Sequence, residues 1–200
     1  MRVLKTSEYV QCIWLQCDKK MFGLEEDVIV GAAYINPQSR DSFPVRAVQA
    51  HFTDLFEDTL NAFQVSPNVV YVFYLNAHVG ELSEVSDART GFVLDCPEVL
   101  ETRRYVCNSV NKACQLLVDL AAATSMAIAT RRVVGDDGQP TFTEIYGDKK
   151  SRPDHVLLSL ALCKLVCSFK MWDTCASDHA ALSTEFRVNA VGGESANSLV

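Results

Sequence analysis

The chain has 200 residues, of which 48% are hydrophobic and 22% are charged, so its composition suits one globular domain and excludes a wholly disordered polypeptide. No apolar run reaches the ~18–20 residues that a membrane helix needs. The net charge of −7 disfavours tight, non-specific binding of a long nucleic acid by this chain alone, because such binding requires a basic face to neutralise phosphates.

The first half of the chain alternates predicted strands with one long helix. Extended, β-branched or apolar runs predict strands over residues 9–15, 28–35 and 69–75. Between the last two strands, apolar residues recur at spacings of three and four over residues 45–63, which is one face of an amphipathic helix. Pro67 then separates this helix from the strand that follows.

The second half repeats the mixture of helices and strands. The pattern predicts a helix over residues 108–125, a short strand over 126–130, a hairpin turning at residues 135–138, a charged loop over 149–153, and strands over 154–159 and 182–188. Residues from about 190 onward are rich in Gly, Ser and Asn, and we expect a disordered tail there. Residues 1–189 are then one layered α+β domain.

The eight cysteines do not form a metal or disulfide pattern, because no CxxC pair occurs. Without a secretory signal, we expect reduced thiols and a cytoplasmic or nuclear protein. Several of these thiols should act as small core residues.

Three polar clusters stand at the ends of apolar runs. They are Asn76-Ala77-His78, Asp154-His155 and Ser177-Asp178-His179. Strands that stop abruptly in polar side chains often carry those side chains to a site. The separate residues have plainer interpretations as well: Asn76 can cap a strand or form an Asx-turn, and His78 fits a loop residue better than a ligand.

The order of these clusters resembles the endonuclease/exonuclease/phosphatase superfamily, and most of all the endonuclease domains of non-LTR retrotransposons. The family patterns are a strand end "GDFNAH.G", a segment "TF/W...SR.D..L.S" and a terminal "SDH..L". This sequence has "FYLNAHVG", "TFTEIYGDKKSRPDHVLLS" and "SDHAAL" in the same order. The resemblance implies a DNase I-like four-layer α/β sandwich, with two facing sheets covered by helices and a site at the rim of the strand ends.

The resemblance also implies a site for hydrolysis of a phosphodiester, DNA by family, with Mg²⁺ as cofactor. His179 would contact the scissile phosphate, and Asp154 would accept the other ring proton of His179. Asn76 and Tyr34 would hydrogen-bond the phosphate, and Asp178 would lie near the metal. A divalent cation suits this chemistry because it neutralises charge on the phosphoryl oxygens.

Two departures from the family pattern predict weak or absent catalysis. The aspartate of the "GD.N" motif, which orients the attacking water, is Tyr74 here, and loss of such a base typically costs about 10²–10⁴ in rate. The family's metal-binding glutamate lies on early strands that nothing in this sequence matches, so we expect a fold incomplete at its N-terminus. Glu81 or Asp95 are weak candidates to replace the lost carboxylate.

Three hypotheses follow from this pattern. The first is an impaired phosphodiester hydrolase of retroelement origin. The second is a non-catalytic interaction module, because missing strands would leave an exposed sheet edge for a protein partner. The third is that these residues are part of a longer protein that carries the early strands.

Overall fold

The computed structural model describes residues 1–7, 12–34, 45–75, 77, 79, 82–84, 99, 110–133, 136, 144–146, 149–151, 153–172 and 179–187. The strands among these residues are β1 (Arg2–Ser7), β2 (Cys12–Cys17), β3 (Val28–Tyr34), β4 (Asn68–Tyr74), β5 (Met126–Ile128), β6 (Glu144–Tyr146), β7 (Lys149–Ser151), β8 (Asp154–Ser159), β9 (Val166–Trp172) and β10 (Ala181–Phe186). The α-helices are α1 (Val45–Val65), α2 (Lys112–Ala123) and α3 (Leu160–Cys163). No helix within the described ranges is long and apolar enough to cross a membrane.

A six-stranded sheet forms the centre of the molecule, with strand order β1-β2-β3-β4-β8-β5. β3 and β4 are parallel, and α1 supplies the crossover that a parallel pair requires. The other neighbours in this sheet are antiparallel. β9 pairs with β10 in a two-stranded sheet, and β6 pairs with β7 in another.

The two faces of the six-stranded sheet bury separate hydrophobic clusters. One face packs against α1 and α2, where Phe52, Leu55 and Leu117 meet the sheet residues Tyr71 and Leu157. The opposite face packs against the β9–β10 sheet, and the residues that show this are Val156, Leu158, Ala127, Val166 and Phe169. The described elements thus account for three layers of the predicted α/β sandwich: helices, large sheet and small sheet.

Most predicted elements are present, with shifted ends. The two long helices are confirmed as α1 and α2, and Asn111 caps α2 by accepting a hydrogen bond from the backbone N–H of Cys114 at 2.9 Å. The predicted charged loop is wrong at residues 149–151, which form β7 against β6. β1 and β9 were not predicted. Most of the predicted hairpin turn at residues 135–138, and the tail, lie outside the described residues.

β1 is attached to the helical layer by a charged hydrogen bond. Lys5 donates from its ammonium group to the buried carboxylate of Asp58 on α1. This bond raises the pKa of Lys5. An edge strand whose own side chains are mostly exposed therefore has a specific partner in the fold.

Gly31 on β3 allows two aromatic rings to pack over the strand. A Cβ at this position would lie 2.6 Å from Cζ3 of Trp14 and 2.7 Å from Cδ2 of Tyr71. We expect Gly31→Ala to lower the free energy of unfolding by about 1–3 kcal/mol, the usual range for overpacking a core. Urea denaturation measures this. Ala32→Val, which enlarges the next residue on the opposite, half-exposed face, should cost much less. An equal loss in both variants would contradict a steric role for Gly31.

Candidate active site at the strand ends

Three adjacent strands end in one row of polar or aromatic side chains. Tyr34 at the end of β3 pairs with Tyr74 at the end of β4, and Tyr74 pairs with Asp154 at the start of β8. Because directly paired residues of neighbouring strands point to the same side of a sheet, all three face the side covered by β9 and β10. Tyr74 is buried, whereas Tyr34 is 43% exposed.

His179 joins this row from the small sheet. It lies two residues before β10, and its ring Nδ1 is 2.9 Å from Oδ2 of Asp154. Because an ionised carboxylate only accepts hydrogen bonds, Nδ1 carries the proton that is donated. This hydrogen bond fixes the orientation of the imidazole and directs Nε2 away from Asp154, the position from which a ring nitrogen can act on a ligand.

The ring of Tyr74 fills the space between Tyr34 and His179. Tyr74 stacks on Tyr34 with ring centroids 5.0 Å apart and an angle of 17° between the planes. It meets the His179 ring edge-to-face, with centroids also 5.0 Å apart and an angle of 79°. Both geometries are favourable for aromatic rings. A packed aromatic ring therefore adjoins His179 on the strand position where the family pattern has a carboxylate.

The backbone beyond β4 is also held in place. The N–H of Leu75 donates to the carbonyl of Pro153 at 3.4 Å. Since a carbonyl can only accept, the buried His155 donates from Nε2 to the carbonyl of Ala77 at 2.8 Å. His155 thus hydrogen-bonds the backbone on the helical side of the sheet, while its neighbour Asp154 hydrogen-bonds His179 on the other side.

A buried ion pair supports the next part of this segment. Nε of Arg132 lies 3.1 Å from Oε1 of Glu84, and both side chains are fully buried. The same carboxylate accepts a hydrogen bond from the backbone N–H of Ile128 on β5 at 2.8 Å. No sequence pattern predicted this pair. Its only sequence signal is two charged residues at the borders of apolar runs, which is also the pattern of surface charges.

The predicted site residues divide into two groups. Tyr34, Asp154 and His179 are described and lie together, with Asp154 bonded to His179 and Tyr34 stacked on Tyr74. Asn76, Asp178 and His78 lie outside the described residues, as do Glu81 and Asp95. The roles proposed for all of these side chains stay predictions.

The described residues do not supply a magnesium site. Among them, no group of three or more His, Cys, Asp or Glu side chains is placed to hold a metal ion. At the strand ends the one described carboxylate is Asp154, which is bonded to His179. Mg²⁺ needs several oxygen ligands, and Asp178, the predicted ligand, is not described.

Comparison of the whole chain with solved structures defines its fold. The 3′-5′ exonuclease NExo from Neisseria meningitidis matches with a TM-score of 0.57 and 16% identity, over 80% of this chain and 61% of its own. This chain has the fold of the endonuclease/exonuclease/phosphatase superfamily. The predicted DNase I-like fold class is thereby confirmed.

Two further matches agree with this fold. The endonuclease domain of TRAS1, a telomere-specific non-LTR retrotransposon, has a TM-score of 0.54 and 14% identity, over 94% of this chain and 69% of its own. The catalytic domain of APE2 from Xenopus laevis has a TM-score of 0.52 and 13% identity, over 90% of this chain and 56% of its own. This chain spans about three-fifths of the length of the NExo chain. No protein-family model and no curated protein sequence matches this chain.

Proposed function

We propose that this protein is an impaired phosphodiester hydrolase derived from a DNA endonuclease of retroelement origin, with little or no activity as this chain. The observation that carries the proposal is the contact of His179 with both Asp154 and Tyr74. The hydrogen-bonded His–Asp pair is suited to contact a phosphate, and the packed tyrosine takes the position of the group that would activate water.

The described side chains can bind a phosphate better than they can cleave it. His179 is oriented by Asp154 so that its Nε2 can donate to a phosphoryl oxygen when the ring is protonated. The hydroxyl of the partly exposed Tyr34 is a second donor on the same row. Both groups would bind the ground state and the transition state alike, and uniform binding does not raise the rate of the chemical step.

Activation of water is the missing function. A phenol ordinarily loses its proton only near pH 10, so the hydroxyl of Tyr74 is a poor general base at neutral pH. Its ring also occupies the space beside His179, because it packs against Tyr34 on one side and the imidazole on the other. The expected loss is about 10²–10⁴ in rate for the base alone.

DNA is the substrate class that this proposal carries over from the matched structures. One matched structure is the 3′ phosphatase NExo bound to a product DNA hairpin. Another is the endonuclease domain of TRAS1. The net charge of −7 argues against a long electrostatic footprint on DNA. We therefore propose contact with one or two phosphates at the strand ends, with Mg²⁺ as the cation that would neutralise their charge.

The cysteines support a reducing compartment, cytoplasmic or nuclear. None of the described cysteines, Cys12, Cys17, Cys114, Cys163 and Cys167, forms a disulfide, and the first four are buried.

A plasmid-nicking assay tests the proposal. Purified protein with supercoiled plasmid and Mg²⁺ is expected to give no more nicked circle than the His179→Ala variant, because neither has a competent base at position 74. Gel electrophoresis measures the conversion, and an active nuclease of this fold shows that the buffer supports nicking. Robust nicking that depends on His179 and is abolished by EDTA would overturn the proposed impairment.

A second candidate function is a non-catalytic interaction module. The observation that favours it is the difference in size between the two facing sheets, since the described residues contribute six strands to one sheet and two to the other. A small sheet over a large one leaves strand edges and an apolar face without a covering layer, and both are surfaces that bind other polypeptides.

A further inference from the structure

The ring of Tyr34 is the outer member of a short aromatic stack. One face of this ring lies on Tyr74, with the ring centroids 5.0 Å apart and an angle of 17° between the planes. Tyr74 is buried, whereas Tyr34 is 43% exposed. A ligand can therefore reach the Tyr34 ring only from its opposite face or from its edge, and a flat ligand on that face would extend the stack by one ring.

The stack sets the orientation of the Tyr34 ring before any ligand binds. Tyr34 and Tyr74 are register partners at the ends of the parallel strands β3 and β4, so backbone pairing fixes the spacing between them. Tyr74 is held in turn by its edge-to-face contact with His179. A side chain that is already ordered loses little conformational entropy on binding, and this preorganisation favours affinity.

The Tyr34 ring lies close to the group that the proposed function assigns to a phosphate. Tyr74 contacts both Tyr34 and His179 at 5.0 Å, so the centroid of the Tyr34 ring is within about 10 Å of the imidazole. The hydrogen bond to Asp154 directs Nε2 of His179 away from that carboxylate and towards a ligand. In a nucleic acid strand each base is joined to a phosphate through one sugar, so a strand whose phosphate contacts His179 can bring a base to Tyr34.

A nucleotide fits this pair of groups better than other stacking ligands do. The apolar face of a sugar or a proline ring also packs on tyrosine, but neither carries a phosphate. Stacking is uncharged and tolerates any base, because every base has a π-face. It can therefore supply affinity that a chain with a net charge of −7 does not gain from a long row of phosphates.

The base that stacks on Tyr34 must be unpaired. In a duplex, each base is paired and lies between its neighbours in the helical stack. A base that contacts the face of a side chain has to be single-stranded or turned out of the helix, which costs the energy of unstacking. Single-stranded DNA largely avoids this cost, so the Tyr34 ring favours it over duplex DNA of the same sequence.

We propose that the ring of Tyr34 is a stacking platform for one nucleobase of single-stranded DNA whose phosphate contacts His179. The proposal rests on the proposed function for the phosphate contact, and it adds unpaired DNA as the class of ligand. It also divides the work of one side chain, because the ring of Tyr34 binds the base while its hydroxyl can donate to the phosphate.

Fluorescence anisotropy with three labelled ligands tests the platform. They are an oligodeoxythymidylate, an abasic oligomer with the same number of phosphates, and a DNA duplex of the same length. Wild-type protein is expected to bind the oligodeoxythymidylate roughly tenfold more tightly than either of the others, a typical effect of stacking one base on an aromatic ring. Because stacking is uncharged, the ratio between the two single-stranded affinities should persist from ~50 to ~200 mM salt.

Variants of Tyr34 separate the ring from the hydroxyl. Tyr34→Leu should abolish the preference for the oligodeoxythymidylate over the abasic oligomer, whereas Tyr34→Phe, which keeps the ring, should retain it. Trp172→Leu is the matched control, because Trp172 is 54% exposed but its indole N–H donates to Ser183 at 2.9 Å. Both residues lie on the face of the small sheet that points away from the core residue Phe169, so the preference should stay within twofold of wild type.

Circular dichroism checks the fold, and binding of the abasic oligomer by Tyr34→Leu shows that the phosphate contact is intact. Equal affinities of wild type for the two single-stranded oligomers, tighter binding of the duplex, or loss of the preference in Tyr34→Phe or Trp172→Leu would each overturn the platform. Failure of the proposed phosphate contact has a different signature, since His179→Ala would then leave the affinity for the abasic oligomer unchanged. Binding of neither oligomer would overturn both.

Discussion

Glu84→Gln is expected to lower the free energy of unfolding by about 3–5 kcal/mol, because it removes the negative charge of Glu84 from beside the fully buried guanidinium of Arg132. Removing one partner of a buried pair costs more than the pair contributes, since the remaining ion keeps its desolvation penalty. For a chain of this size, 1 kcal/mol corresponds to about 2–4 °C in melting temperature. Thermal unfolding followed by circular dichroism should therefore show a shift of roughly 6–20 °C.

Glu185→Gln is the matched control for this prediction. Glu185 also pairs with a cation, Lys170 at 2.9 Å, and accepts a hydrogen bond from the hydroxyl of Ser168. These interactions lower its pKa, but both partners of the ion pair are about half exposed. Water replaces the lost partner there, so the melting temperature should not change measurably. A similar melting temperature for Glu84→Gln and wild type would contradict a structural role for the buried pair.

The Glu84–Arg132 ion pair is connected through the chain to the candidate site at the strand ends. Glu84 accepts from the backbone of Ile128 on β5 and binds Arg132 just beyond that strand. The chain between β4 and Glu84 includes the buried residues Ala77 and Val79. The ion pair thus anchors the far end of the segment that begins at the candidate site, and its loss should loosen that segment before the molecule unfolds.

The elements that the sequence predicted well are those whose pattern reflects one buried face. The helical spacing of Phe52, Leu55 and Phe56 is visible because α1 packs one side on the large sheet. The central strands β4 and β8 are equally clear, because strands buried on both faces consist of nearly continuous apolar residues. In both cases the local sequence carries the information that the packing uses.

The elements that it missed have no such pattern. β1 is an edge strand with mostly exposed side chains and a register shift between Val3 and Lys5, so its residues do not alternate cleanly. β9 buries Val166 and Phe169, three positions apart, and its pairing with β10 is irregular near one end. Neither strand has the two-residue period on which strand prediction depends.

The proximity of Asp154 and His179 was predictable from the sequence, but the packing around them was not. The order of short motifs indicated that Asp154 and His179 belong together, and the structure has them 2.9 Å apart. That Tyr74 stacks on Tyr34 and touches His179 depends on strand register. Register follows from pairing across the whole sheet, which no short motif contains.

Tyr74→Asp, the substitution that the family pattern suggests as a repair, is expected to destabilise the protein without restoring nicking. The change removes a buried ring that packs on Tyr34 and His179, and truncation of a buried aromatic residue typically costs about 3–5 kcal/mol. It also places a new carboxylate directly opposite Asp154 on the neighbouring strand. Like charges on directly paired residues repel.

Two further variants separate loss of the ring from repulsion of charge. Tyr74→Phe keeps both ring contacts and should unfold within about 1 kcal/mol of wild type, the usual contribution of one hydrogen bond. Combining Tyr74→Asp with Asp154→Asn removes the charge repulsion and should recover only part of the lost stability. Urea denaturation measures the stability of all three, and plasmid nicking is assayed below each melting temperature.

If Tyr74→Asp matched wild type in stability and nicked plasmid in a His179-dependent manner, the tyrosine would be a simple replacement in an otherwise competent site. If it is instead less stable and inactive, the aromatic ring has become part of the fold, and activity cannot return by reversing one substitution.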